Sequence, residues 1–164
     1  MNRISNFCLA TWVVFVWFAV PTVAFDEQDT KSIDAYIAHQ ARQERGSEYK
    51  QTREVASGDV HPGAPEIVVL YTIEGQNGTN RNLQYLAVFA RRNGKLVAAA
   101  RAEVGGKGQR YVHLKTIEGN TIHLETLDYG PKDAACCPNE KGQTSYVFAG
   151  NSLREQKIRP EPRN

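Results

Sequence analysis

The chain has 164 residues, with 20 Lys and Arg against 18 Asp and Glu, a formal net charge of +2, and three cysteines. So even a balance offers no field for nucleic acid or an anionic membrane surface. Three cysteines also exclude a multi-disulfide scaffold and a zinc site built from paired Cys-x-x-Cys motifs.

Residues 1–24 have the form of a secretory signal peptide. Arg3 precedes a charge-free apolar run from Phe7 to Val20, and Thr22 and Ala24 supply a small-x-small cleavage pattern. The run is shorter than the about 20 apolar residues that a membrane anchor needs. Cys8 lies before the run and is not placed for lipid modification. The expectation is cleavage after Ala24, a mature chain beginning at Phe25 with no stable membrane insertion, and a periplasmic or extracellular location. Removal of Arg3 leaves 20 − 1 = 19 basic against 18 acidic side chains, and the remainder has the length of one domain.

The mature chain divides into an N-terminal helical segment (25–48), an antiparallel β domain (49–158) and a frayed tail (159–164). Ile33, Tyr36, Ile37 and Ala41 recur at helical spacing between Asp29 and Arg45, with Asp29 or Thr30 as cap and Gly46 to end the helix. Such a stripe either packs on its own domain or binds a partner. From Tyr49 onward, short runs rich in Val, Ile, Leu, Tyr and Thr alternate with Gly, Asn, Asp and Pro, which is strand and turn chemistry. Strands are expected over Thr52–Ala56, Glu66–Glu74, Leu83–Arg92, Lys95–Val104, Arg110–Ile117, Thr121–Tyr129, Ser145–Ala149 and Leu153–Ile158. The fold class that follows is mainly β: a twisted antiparallel meander, as an open barrel or a two-layer sheet, with one amphipathic helix against it.

Two hairpins can be read to register. Asn93-Gly94 suits a type I′ turn, which sets Phe89 against Ala98, Ala87 against Ala100, Tyr85 against Ala102 and Leu83 against Val104. The row of alanines then asks for a bulky neighbour, and the helix is a candidate. A three-residue loop of Glu118, Gly119 and Asn120, with Asn120 left-handed, sets Leu114 against Leu124, Thr116 against Ile122 and Val112 against Thr126. His113 then faces Glu125, with Lys115 beside His123.

No Gly-x-Ser-x-Gly elbow, His-Glu-x-x-His pair, Cys-x-x-Cys motif or dinucleotide fingerprint occurs. Gly105, Gly106, Lys107 and Gly108 suggest either a turn or a weak nest of amides that, with Lys107 and Arg110, holds an anion. The His113 and Glu125 face reads as a cross-strand polar pair or as a general base without a nucleophile. Asp59 and Glu66 have the spacing of a calcium turn, but His61 and Gly63 stand where oxygen ligands are needed, so no useful calcium affinity is expected. No cofactor is implied.

Cys136 and Cys137 are adjacent and precede Pro138. Outside the cytoplasm they are expected to be oxidised to each other, the alternatives being two free thiols or a bond to another chain. Thiol reactivity is the functional reading; stiffening of the loop before Pro138, whose φ is fixed, is the structural one.

The stretches Leu70–Gly75, Gln84–Phe89, Val104–Lys107 and Asp133–Pro138 resemble a group of small, uncharacterised secreted bacterial domains with a Cys-Cys-Pro motif, over roughly residues 57–153. The resemblance implies export and no particular activity. The leading expectation for function is an exported, non-enzymatic binding module that recognises an envelope protein through the loops Gln76–Asn82 and Tyr129–Thr144, with Asn77, Asn80, Asn82, Asp133 and Asn139 as candidate contacts. The rivals are a small thiol/disulfide-active or hydrolytic enzyme using Cys136 and Cys137 or the His113 and Glu125 face, and a purely structural envelope domain.

Overall fold

The computed structural model describes residues 26–61, 64–134 and 136–156, with the backbone alone for 61, 64 and 65. The expected signal peptide and the whole of the expected tail lie outside them. Helix α1 (Glu27–Gln43) is followed by nine strands: β1 (Ser47–Glu48), β2 (Glu54–His61), β3 (Ala64–Glu74), β4 (Asn82–Arg92), β5 (Lys95–Gly106), β6 (Arg110–Glu118), β7 (Thr121–Asp128), β8 (Glu140–Ala149) and β9 (Ser152–Gln156). All pairings are antiparallel and each strand from β3 onward pairs with the next, while β1 and β2 both pair β3. The meander is open and does not close into a barrel.

Helix α1 starts two residues earlier than its periodicity predicts, because Asp26 is the cap and accepts from the Asp29 amide at 2.6 Å. Asp29, 1% exposed, instead faces Arg91 of β4 and forms an ion pair with it. At the other end the Arg45 amide donates to Arg42 (3.1 Å) and the Gly46 amide to Ala41 (2.9 Å), a Schellman closure. Arg45, not Gly46, takes the left-handed conformation, with φ 54°. Gly46 is needed for a different reason: a Cβ there would lie 2.6 Å from the Glu74 carbonyl oxygen.

Strands β3 and β4 are buried on both faces, which is why their sequences read as unbroken apolar runs. Ile67, Val69, Tyr71 and Ile73 of β3, with Tyr85, Ala87 and Phe89 of β4, meet Ile33, Ile37 and Ala41 of the helix. Tyr36 packs edge-on against Phe89, with ring centroids 5.2 Å apart. The opposite face, with Val68, Leu70, Leu86, Val88 and Ala100, packs on Val112, Ile122, Leu124, Tyr146 and Phe148 of β6 to β8. The helix thus lies on its own domain, and the molecule is layered as helix, first half-sheet, second half-sheet.

The sheet folds between its halves at one place. β5 and β6 share a single paired position, Gly106 with Arg110. Beyond it β6 leaves β5, and the backbone groups on its open edge are met by side chains. The Val112 amide donates to Gln84 Oε1 (2.8 Å), and Gln84 Nε2 donates back to the Val112 carbonyl (3.1 Å). Two positions further, the Leu114 amide donates to Glu54 Oε2 at 2.7 Å, which ties β6 to β2. Gln84 therefore replaces a strand partner, satisfying a buried donor and acceptor that would otherwise be orphaned.

Both predicted hairpin registers need correction. Asn93 (φ 52°) and Gly94 (φ 76°) form the expected turn and Phe89 faces Ala98, but irregularities between Val88 and Phe89 and between Gln84 and Tyr85 shift the rest. Ala87 then faces Arg101, Tyr85 faces Glu103 and Leu83 faces Gly106. Each bulge exchanges faces, so Ala100 and Ala102 pack toward the second half-sheet and Arg101 turns to the helix side. In the next hairpin the loop is two residues, with Glu118 opposite Thr121 and Gly119 as the left-handed position instead of Asn120. A bulge at Lys115 then restores the predicted pairs Leu114–Leu124, His113–Glu125 and Val112–Thr126, while Thr116 faces His123. Strand β8 begins at Glu140, five residues before the predicted start, because polar residues 140–144 pair with β7 down to Asp128. The loop before it is accordingly 129–139.

Candidate functional site

In a meander, alternate connections fall at the same end. Here one end carries the tight two-residue turns Asn93-Gly94, Gly119-Asn120 and Gly150-Asn151, held together by Arg92 donating to Asn151 (3.0 Å) and the Phe148 amide donating to Asn120 (2.9 Å). The other end gathers the longer connections 75–81, 107–109 and 129–139. Its members touch in sequence: the Asn77 amide donates to the Arg45 carbonyl (3.1 Å), the Lys107 amide to the Asn82 carbonyl (3.1 Å), and the Gly108 amide to the Tyr129 hydroxyl (3.3 Å). The fold thus brings the predicted loop residues Asn77, Asn80, Asn82, Lys107, Arg110, Asp133, Cys136, Cys137 and Asn139 to one end of the domain.

Their roles differ. Asn77 is left-handed (φ 55°) and accepts from Arg45 at 3.4 Å, while Asn80 is exposed. Asn82 is a brace: its Oδ1 accepts from the Lys107 amide (3.0 Å) and its side chain meets the Tyr111 hydroxyl (3.3 Å). Arg110 donates to the Val104 carbonyl (2.8 Å) and the Tyr146 hydroxyl (3.1 Å) and pairs with Glu155 (2.8 Å). The glycine-rich turn likewise has its Lys107, Gly108 and Gln109 amides engaged within the protein. Gly105 and Gly106 belong to β5, where they allow close backbone approach rather than forming a cradle.

Asp133 organises the long loop. Its carboxylate accepts from the Gly130 amide (2.9 Å), the Asn139 amide (3.1 Å) and Asn139 Nδ2 (2.6 Å), drawing the two ends of the loop together. The Asp133 amide donates back to Gly130 (3.1 Å), and the Cys137 amide to Ala134 (2.9 Å). Beyond this frame Cys136 and Cys137 are exposed and joined to each other, with Cα atoms 3.8 Å apart, the spacing of a trans peptide.

The second predicted face is assembled differently from its expectation. His113 lies opposite Glu125 in the ladder, yet its Nδ1 bonds Glu54 of β2 at 2.7 Å, and Glu125 is 3.7 Å from Lys115. Glu54, which the sequence did not single out, holds both His113 and the Leu114 amide and so binds the two half-sheets together. The Asp59–Glu66 stretch is strand on both sides: Asp59 is exposed on β2, while Glu66 is buried on β3 opposite Gly58. The side chain of His61 is not described, and Gly63 lies outside the described residues. Among the described residues, no group of three or more His, Cys, Asp or Glu is placed to hold a metal ion. No helix among them is long and apolar enough to cross a membrane.

Sequence reading missed the charged seam beneath the helix. Arg101 lies 3.8 Å above the Tyr85 ring, donates to Gln40 (2.7 Å) and pairs with Glu44, which also accepts from the Tyr85 hydroxyl (2.7 Å). A single arginine within a run of alanines was the available signal. Further along, a shallow cleft of about 390 Å3 lies between α1 and β1. Its carboxylates are committed to Arg53, which takes Glu48 with two nitrogens (2.6 and 2.7 Å) and Asp34 with the third (2.6 Å).

Burial raises the Tyr71 and Tyr85 hydroxyls well above the usual tyrosine range; for Tyr85 the Glu44 carboxylate adds to the effect. In an unfolded chain tyrosine ionises near about pH 10. The folded pKa is raised, so this stability is intact below that pH and is lost as pH rises, because the unfolded tyrosines release protons that the folded ones keep. Thermal unfolding followed from about pH 8 to 11 should show a midpoint that falls steeply above about pH 10, and Tyr71→Phe should flatten the fall. Tyrosinate absorbance growing in the folded protein as it does in the unfolded chain would contradict this.

The fold and the loop end define a class: an open antiparallel β meander, covered by one helix, that presents a braced disulfide loop. No family model, curated protein or solved structure matches the chain.

Proposed function

We propose that the chain is an exported, non-enzymatic module that binds an envelope protein through its long-loop end, with loop 129–139 as the main contact. The signal-peptide pattern of residues 1–24 supports export, and membership of the Cys-Cys-Pro group is part of the same proposal. The observation that carries the binding reading is the Asp133 frame, three hydrogen bonds that order an exposed loop before any partner arrives. Pre-ordering removes a cost of about 0.5–1.5 kcal/mol for each side chain that binding would otherwise immobilise.

Affinity capture from an envelope extract tests it with three baits: wild type, Asp133→Ala, and Lys95→Glu beside the Asn93-Gly94 turn at the opposite end. A common species retained by wild type and Lys95→Glu, and about tenfold less by Asp133→Ala, is the expected result, tenfold being about 1.4 kcal/mol. Equal retention by all three, or selective loss with Lys95→Glu, would refute the loop assignment.

A further inference from the structure

The frame of loop 129–139 does not pass through its sulfurs. Asp133 closes the base, the Cys137 amide is held by Ala134, and Cys136 and Cys137 stand exposed beyond both. Their bond joins neighbours, so it closes almost no chain and removes almost no entropy from the unfolded state. The fold therefore has little dependence on the bond, while both of the residues it joins are exposed. Exposed disulfides of this kind are the ones that thiolates reach.

We propose that Cys136–Cys137 is a thiol-exchange site, open to low-molecular-mass thiols in the folded protein. A small thiolate attacks one cysteine sulfur, the S–S bond breaks, and the neighbouring cysteine leaves as a thiolate beside a mixed disulfide. Two exits follow. The freed thiolate, one residue away, attacks the mixed disulfide and expels the small thiol, which restores the starting state. Alternatively a second small thiol attacks the small-molecule sulfur of the mixed disulfide. That step releases the small-molecule disulfide and leaves both cysteines reduced, two electrons having passed from two thiols to the pair. The Asp133 frame survives either course, so the exchange alters the loop tip and leaves the domain standing. The site does not depend on the loop meeting a protein partner.

The test uses the exported protein with reduced glutathione, folded and in urea, with samples acid-quenched, alkylated and weighed intact. Opening of the folded chain within about tenfold of the rate in urea is the expected result, with circular dichroism unchanged on reduction. Folded-state opening slower than this, or global unfolding on reduction, would overturn the proposal. A second measurement treats the single variants Cys136→Ser and Cys137→Ser with glutathione disulfide. Each should keep one glutathionyl group, whereas the reduced wild type should shed it and close its own disulfide. Wild type that retains the adduct as the variants do would show that the neighbouring thiolate does not resolve it.

Discussion

Replacing Gly106 with alanine is expected to lower stability by about 4 kcal/mol, combining backbone strain of about 1–3 with overpacking of about 1–3 kcal/mol. The new Cβ would lie 2.4 Å from the Asn82 carbonyl oxygen and 2.9 Å from the Leu83 Cα. Both are backbone atoms, so no side-chain rotation relieves the contact. The φ of +142° also lies where L residues rarely go. Relief requires parting β4 from β5 at the point where the chain leaves one half-sheet for the other. Gly108 is the control: its φ is +82°, but nothing lies within 4 Å of a Cβ there, so Gly108→Ala should cost only about 1–2 kcal/mol. Denaturant unfolding of the two variants separates close approach from conformational freedom, and equal losses would show that the tight contact at Gly106 does not matter.

Gln84→Leu should cost about 3 kcal/mol, since it leaves the Val112 amide and carbonyl unmet inside the protein and each such group costs about 1–3 kcal/mol. Gln84 is 5% exposed, so water cannot replace it without opening the seam. Leucine has much the same size, so the loss reports hydrogen bonding more than a cavity. Equilibrium unfolding in urea measures the stability, and amide exchange at Val112 should accelerate selectively against Leu124, which lies inside the second half-sheet. A stable variant with a protected Val112 amide would mean that the open edge of β6 is held by something other than Gln84.

Much of the fold was legible in the residues, because the signals involved are local. The stripe of Ile33, Ile37 and Ala41 marks a helix face by its period, and Asn93-Gly94 marks a turn because both residues accept positive φ at little cost. The loops that hold the candidate site were legible as well, from their Gly, Pro, Asn and Asp content, as was the adjacency of Cys136 and Cys137. Registers failed where no local signal exists. The shifts beside Phe89 and at Lys115 place side chains on the face that the second layer requires, and one strand pair does not contain that information. The polar start of β8 is a strand because the far half of β7 needs a hydrogen-bonding partner, whatever the propensity of its residues.

The sequence by itself determined the class of fold, the helix, the two-residue Asn93-Gly94 turn and a vicinal cysteine pair. Tertiary structure alone decided that Gln84 and Glu54 stand in for a missing strand, that Arg101 turns to the helix, and that three separate loops meet at one end. It also decided that Asn82 and Arg110 serve as braces while Cys136 and Cys137 remain exposed. The physical reason is that a turn or a stripe is stabilised by residues a few positions apart. A brace is defined by groups 28 residues apart, as in Gln84 and Val112, or 60 apart, as in Glu54 and Leu114, whose meeting exists only after the sheet has folded over itself.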